Sequence, residues 1–208
     1  MSYKENSTIE QQACYYLTFN VVEWIDIFTR PVFKQIIVES LNYFIEKKGL
    51  IVHGWCLMTN HLHLIAQAKE GFSLPVLIDE FKKFTARIIL ADIDAEPEIR
   101  RIWIMKKFEE AGRSLRLTDK LQVWQTENHS VSIELENSDM INDQLHFIHG
   151  DPVRDRIVTS AEDYLYSSAR DYTGIKGLVN VRISAERDES PFILRHITSY
   201  NRISKIQY

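Results

Sequence analysis

The stretch from Leu50 to Ala68 constrains the fold more than any other part of the chain. "LIVHGWCLMT" and "HLHLIAQA" are two strand-like runs, rich in branched and apolar residues, separated almost only by Thr59 and Asn60. Two such runs joined by a tight polar link double back on each other, so an antiparallel hairpin is expected. Strands that meet in hairpins argue against a doubly wound parallel sheet, whose strands need long crossovers.

The flanking sequence supplies the other layers. "ACYYLTFNVVEW" (13–24) is β-branched and aromatic and reads as a first strand. Thr29 then stands as a cap before Pro31, and Phe33, Ile36, Ile37, Leu41 and Phe44 recur at helical spacing until Gly49. A second helix is expected over 73–93, capped by Ser73, with Leu77, Phe81, Phe84 and Ile88 as its apolar stripe. A third is expected over 96–112, acidic at its start and closed by Gly112, and a fourth over 138–152, from Ser138 to a stop at Gly150 and Pro152. "LQVWQ" (121–125) and "HSVSIEL" (129–135) are short strand candidates, and a tyrosine-rich connector without a strong period follows Val153. The order predicts an α+β fold, a ferredoxin-like antiparallel sheet with helices packed on it, over residues 13–181, with 182–208 as a C-terminal tail.

With 208 residues, 45% hydrophobic, and only 7 Gly and 5 Pro, the chain is long enough for one core and too apolar for wholesale disorder. Cys14 and Cys56 lie in apolar surroundings and no secretory segment precedes the first strand, so a reducing cytoplasm is expected and no disulfide. No apolar run approaches the roughly 20 residues of a membrane span. A net charge of -4 argues against a uniformly basic coat, yet Lys82, Lys83, Arg87, Arg100, Arg101, Lys106 and Lys107 gather in mid-chain. They suit a phosphate-facing surface, and solvated helix faces would look the same. Trp124 with Gln125 suits stacking on a base, although a strand tryptophan is more often core.

Alternation along the second hairpin strand puts His61, His63, Ile65 and Gln67 on one face and Leu62, Leu64 and Ala66 on the other. Two imidazoles about 7 Å apart along a strand can converge on one ion if another element supplies a third donor. Alone, a His-x-His is a common chance pattern. The facing of His53, across the hairpin, is not fixed by the sequence.

Other stretches accompany the pair in order: "EWIDIFTR" (23–30), "MTNHLHLIA" (58–66), "FKKFTAR" (81–87), "VWQ" (123–125), "LHFIHGDPVRDRIV" (145–158) and "EDYLYSSARDYTGIKGLVNV" (162–181). Together they resemble the single-tyrosine HUH transposases, in particular the REP-associated tyrosine transposases related to small insertion sequences. The resemblance implies binding of hairpin or single-stranded DNA, commonly by a homodimer. It implies a divalent ion, Mg²⁺ or Mn²⁺, held by two histidines and an amide side chain to polarise the scissile phosphate. A helix-borne tyrosine would attack the phosphorus, leaving a 5′-phosphotyrosine and a free 3′-hydroxyl.

The family's tyrosine and third ligand stand four residues apart, Tyr-Ile, two residues, Asn-Pro. Here the segment is "FIHGDP", so the ligand position is Asp151 and the nucleophile position is Phe147. A carboxylate is a good hard oxygen ligand, so His61, His63 and Asp151 form the expected metal set, with Asp151 as part of a Gly-Asp-Pro helix stop the alternative. A phenyl ring has no nucleophilic oxygen, which implies lost cleavage. The alternatives are a displaced nucleophile, among Tyr164, Tyr166 and Tyr172 or the flanking His146 and His149, or a domesticated DNA-binding protein without catalysis.

Overall fold

The computed structural model describes residues 13–95, 99–114, 121–126, 129–133 and 138–183. Four strands, β1 (Cys14–Asn20), β2 (Leu50–Leu57), β3 (His61–Ala68) and β4 (His129–Ile133), form one sheet in the order β2-β3-β1-β4. Every neighbouring pair is antiparallel. The helices are α1 (Pro31–Tyr43), α2 (Leu74–Ala95), α3 (Arg101–Ser114), α4 (Ser138–Arg154) and the short α5 (Ala169–Tyr172). The α+β, ferredoxin-like expectation is met, and β2 and β3 are the hairpin expected from the sequence.

The sheet divides two cores. Leu17, Phe19, Leu62, Leu64 and Ala66 point into a large one with Phe33, Ile37 and Leu41 of α1, Phe81 and Ile89 of α2, and Ile104 and Phe108 of α3. Each fully buried side chain of this size contributes about 1.5–3 kcal/mol, which makes this core the main source of stability. On the other face Cys14, Tyr16, Cys56 and Ile65 pack against Ile141, Leu145 and Ile148 of α4. The inward set of α4 recurs at helical spacing, and it lays the helix across β2 and β3.

Several boundaries differ from the sequence reading. Thr29 does not cap α1; its hydroxyl donates to the Asp26 carbonyl, and Arg30 holds the cap position before Pro31. A π-helical turn extends α1 from Phe44 to Lys48, ending at Gly49 with φ 82°. Glycine is required there twice over, because a Cβ would also meet the Phe72 ring at 2.7 Å. Helix α3 starts at Arg101 without an acidic first turn and runs past Gly112 to Ser114; Glu96 and Glu98 lie outside the described residues. The expected strand at 121–125 is reduced to one bridge, Val21 to Trp124, and Trp124 is core, its indole N–H donating to Thr85 Oγ1. Glu134 and Leu135, expected at the end of β4, and the tail beyond residue 183 also lie outside the described residues.

The largest departure is in α4, which does not stop at Gly150 and Pro152 but continues to Arg154. Proline forfeits one helical hydrogen bond, but in the last turn few bonds remain to lose, and Pro152 is buried. The helix ends instead in a reciprocal pair of bonds, Arg156 N–H to Val153 O and Ile157 N–H to Pro152 O, with Arg156 left-handed at φ 58°.

The segment after α4, read from sequence as a connector, covers the exposed edge of β2. Leu57 N–H donates to Tyr166 O, Ser168 N–H to Trp55 O and Arg182 N–H to Val52 O. An unpaired edge invites association with other strands, and this cover removes it. No described helix is long and apolar enough to cross a membrane.

Candidate metal centre

Strand β3 leaves His61 and His63 on the α4 face, as alternation requires, while Leu62 and Leu64 enter the large core. Helix α4 brings Asp151 to them from above, on the same side of the helix as Phe147 four residues earlier. The Asp151 Oδ2 atom lies 3.2 Å from His61 Nε2 and 3.2 Å from His63 Nε2, and the two Nε2 atoms are 3.0 Å apart. Asp151 lies within α4, which runs on through Pro152 to Arg154.

The surroundings orient these groups. Asn60 Nδ2 donates to the Trp24 carbonyl at 3.2 Å, which turns its Oδ1 to His61 Nδ1 at 2.8 Å. His61 therefore carries its proton on Nδ1 and presents Nε2 inward. His63 Nδ1 lies 2.9 Å from the Tyr16 hydroxyl and 3.1 Å from Thr18 Oγ1, both able to accept its proton. The register explains these partners, since Thr18 is paired with His63 across the strands and Tyr16 lies two residues along the same face. Arg154 donates to Asp151 Oδ1 at 2.5 Å and to the Phe147 carbonyl at 2.9 Å, leaving Oδ2 for the histidines.

Three acceptor atoms thus face one another, an arrangement that a proton or a cation must relieve. Donor atoms at adjacent corners of an octahedron stand about 3.0 Å apart when the ion lies about 2.1 Å from each. The observed edges of 3.0, 3.2 and 3.2 Å fit that shape, and two imidazoles with a carboxylate are a suitable donor set for Mg²⁺ or Mn²⁺. Burial alone would raise the Asp151 carboxyl, but a proton shared with His61 or His63 in place of a cation, together with the positive Arg154, outweighs it and holds it well below the usual carboxylate range. Burial likewise lowers His63, which keeps the imidazole neutral and able to ligate.

Phe147 is 48% exposed beside this triad, with its ring centre 5.8 Å from that of His63 and Arg154 4.6 Å over its face. It supplies no oxygen. Of the other candidates, Tyr164 donates its hydroxyl to Leu57 O at 2.7 Å and Tyr172 donates to His53 O at 2.8 Å, both on β2. The Tyr166 ring lies under Lys34 Nζ at 4.5 Å, and His149 is buried with Nε2 2.8 Å from Ser168 Oγ. His53 sits at a bulge, where its Nδ1 is 3.1 Å from Arg182 O, outside the triad.

The basic residues are not gathered at this centre. Their helices pack in the large core, on the opposite face of the sheet from Asp151. Lys82 donates to Gln125 O at 2.6 Å, and burial pushes its ammonium down to about 8. Lys83 pairs with Asp79 at 2.8 Å, Arg101 with Asp94, and Lys106 and Lys107 with Glu110 at 3.9 and 3.4 Å. Arg87 lies 5.8 Å over Phe84. Arg100 pairs with Asp26 at 2.5 Å, which brings it to the turn that carries Trp24.

Sequence reasoning missed Asn60, Tyr16, Thr18 and Arg154 as supports of the site. Two of them had a readable signal, since Tyr16 and Thr18 alternate onto one face of β1 and only the strand register was lacking.

Residues 11–109 match the sequence profile of the family described as IS200-like transposases. Among solved structures, the fold is similar to that of a REP-associated tyrosine transposase bound to a REP hairpin, at 14% identity and a TM-score of 0.57, covering 90% of this chain and 96% of that one. A candidate transposase from Deinococcus radiodurans R1 overlaps more loosely, at 13% identity and a TM-score of 0.42, covering 69% of this chain and 96% of that one. No curated protein matches the chain.

Proposed function

Because residues 11–109 match the family described as IS200-like transposases, we propose that the chain is a member of it that binds hairpin or single-stranded DNA through a divalent ion held by His61, His63 and Asp151, and that it does not cut it. The triangle of Nε2, Nε2 and Oδ2 atoms beside an exposed phenyl ring is the observation that carries this reading. Such an ion supplies Lewis-acid polarisation of a phosphate oxygen. The chain's own groups do the rest: Asn60, Tyr16 and Thr18 aim the imidazoles, Arg154 fixes the carboxylate, and Phe147 stands where a nucleophile would be needed. The hairpin bound to the neighbour of similar fold supports the ligand class. That Tyr164 and Tyr172 are engaged on β2 carbonyls supports the loss of cleavage.

We propose further that Lys82, Lys83, Arg87, Arg100, Arg101, Lys106 and Lys107 contribute phosphate contacts where DNA wraps beyond the triad. A cytoplasmic homodimer completes the reading; exposed Ile102 and Trp103 on α3 support self-association, which sedimentation velocity checks.

The test is covalent adduct formation on single-stranded hairpin DNA in Mn²⁺. The unsubstituted protein should bind the DNA and give no adduct. Phe147→Tyr should give a phosphotyrosine adduct that His61→Ala abolishes. An adduct from the unsubstituted protein refutes the loss of cleavage, and absence of any DNA binding refutes the whole reading.

A further inference from the structure

The turn before α1 is strained, and one of its side chains stands out of the core. Glu23 and Trp24 have φ of 54° and 55°, the left-handed region that a Cβ disfavours, and neither is a residue type at home there. The turn is fixed by bonds from Val21 N–H to Asn60 O, Val22 N–H to Val123 O and Trp24 N–H to Val21 O. Val22, Ile25 and Ile27 on either side are buried, yet Trp24 is 56% exposed, unlike the buried Trp55 and Trp124. Packing alone would favour turning the indole inward.

The exposed ring is also placed against the triad. Trp24 meets His61 at 6.2 Å between ring centres, His61 meets His63 at 4.6 Å, and His63 meets Phe147 at 5.8 Å, so four rings form a row with its two ends in solvent. One end, Phe147, occupies the nucleophile position. The other has no part in ligation and offers a nucleic acid an aromatic face, while the Arg100 guanidinium beside this turn is paired with Asp26 and the α2 lysines lie across the sheet.

We propose that Trp24 is a stacking platform for an unpaired nucleobase next to the phosphate held at the His61, His63 and Asp151 triad. This rests on the DNA-binding reading above and adds the contact that selects single-stranded over paired DNA. A duplex keeps its bases stacked on each other, whereas an unpaired base can lay its π face on an indole whatever its identity.

The test compares two labelled hairpins of the same stem in Mn²⁺, one blunt and one with a single-stranded flank, by fluorescence anisotropy. Trp24→Ala should weaken binding of the flanked hairpin roughly tenfold, within the about five- to 150-fold span of one lost stacked base. Blunt-hairpin affinity and the salt dependence should stay as in the parent, because no phosphate contact is removed. Trp24→Phe should recover most of the loss, and 2-aminopurine in the flank should be quenched by the parent but not by Trp24→Ala. Mn²⁺ affinity should be unchanged, since Asn60 bonds the residue-24 backbone carbonyl and not its side chain. Trp24→Gly should melt no lower than the parent, glycine being at ease at this φ, while losing the flank preference. Equal loss on both hairpins, no loss on either, reduced Mn²⁺ affinity or a much lower melting temperature for Trp24→Gly would each overturn the inference. If the parent binds neither hairpin, the DNA reading falls and this inference with it. If the parent binds and Trp24→Ala is indifferent, this inference alone falls.

Discussion

Replacing Gly54 by alanine tests whether the packing of α4 on β2 sets the position of Asp151. A Cβ at residue 54 would stand 2.6 Å from Leu145 Cδ2, 3.2 Å from Ile148 Cδ1 and 3.3 Å from Ile65 Cδ1. Carbon atoms in contact settle at about 3.5–4.0 Å, so Leu145 must retreat by about 1 Å and the two isoleucines by a few tenths. All three are buried, and Ile148 precedes Asp151 by less than one turn of the same helix. Overpacking of this kind costs about 1–3 kcal/mol, partly offset by about 0.4–1 kcal/mol for the more restricted unfolded chain. A net loss of about 1–2 kcal/mol lowers the melting temperature of a chain this size by about 2–8 °C.

The same displacement moves the Asp151 carboxylate away from His61 and His63, whose 3.2 Å contacts have little slack. Mn²⁺ affinity should fall about tenfold, as it does when groups that orient ligands are disturbed. Thermal melting followed by circular dichroism and Mn²⁺ titration by calorimetry read the two effects. A variant that melts within about 1 °C of the parent would show that α4 does not rest on Gly54. A lower melting temperature with unchanged Mn²⁺ affinity would show that Leu145 swings aside and the helix stays, which refutes the coupling.

Asn60→Ala removes the acceptor that holds His61 Nδ1–H, and should weaken Mn²⁺ binding about 10- to 100-fold with little change in melting temperature, as read by calorimetry. Saturating Mn²⁺ should raise the melting temperature of the parent, and chelation should reverse it; at a concentration of about 100 times the dissociation constant the gain is about 2.7 kcal/mol. Asp151→Ala should abolish that shift, and Asp151→Asn should retain part of it, because an amide oxygen still ligates without the charge. Lys82 carries an ammonium lowered to about 8 from 10.5, so between those values the unfolded chain binds more protons than the folded one and stability rises with pH. Lys82→Met should flatten that rise in urea titrations at pH 8 and pH 10; an unchanged slope would place the titration elsewhere.

Local periodicity by itself determined a good deal of this protein. The period of two along residues 61–68 sent both histidines to one face and both leucines to the other, because successive side chains of a strand must alternate. The spacing of four in "FIHGDP" put Phe147 and Asp151 on one helical side, since that is the helix repeat. The short Thr59-Asn60 link set the hairpin, and with it the antiparallel sheet.

Tertiary structure decided the rest. Gly150 and Pro152 carry a stop signal, but α4 runs two residues further, with Pro152 buried, and it is the packing of Ile148 against the sheet that sets Asp151 over the histidines. The facing of His53 was illegible because β2 is irregular between Val52 and Gly54, and one extra residue in a strand resets the alternation on which any such reading depends. The basic residues of α2 and α3 look like a single patch in sequence, yet the sheet separates them from the triad. Tyr16, Thr18 and Asn60 support the histidines across strand pairs and a turn, and Trp24 does so through its carbonyl. Backbone repeats fix which way a side chain points within its own element; which groups meet between elements depends on packing, and the candidate metal centre is a meeting of β3 and α4 with β1 supporting the histidines.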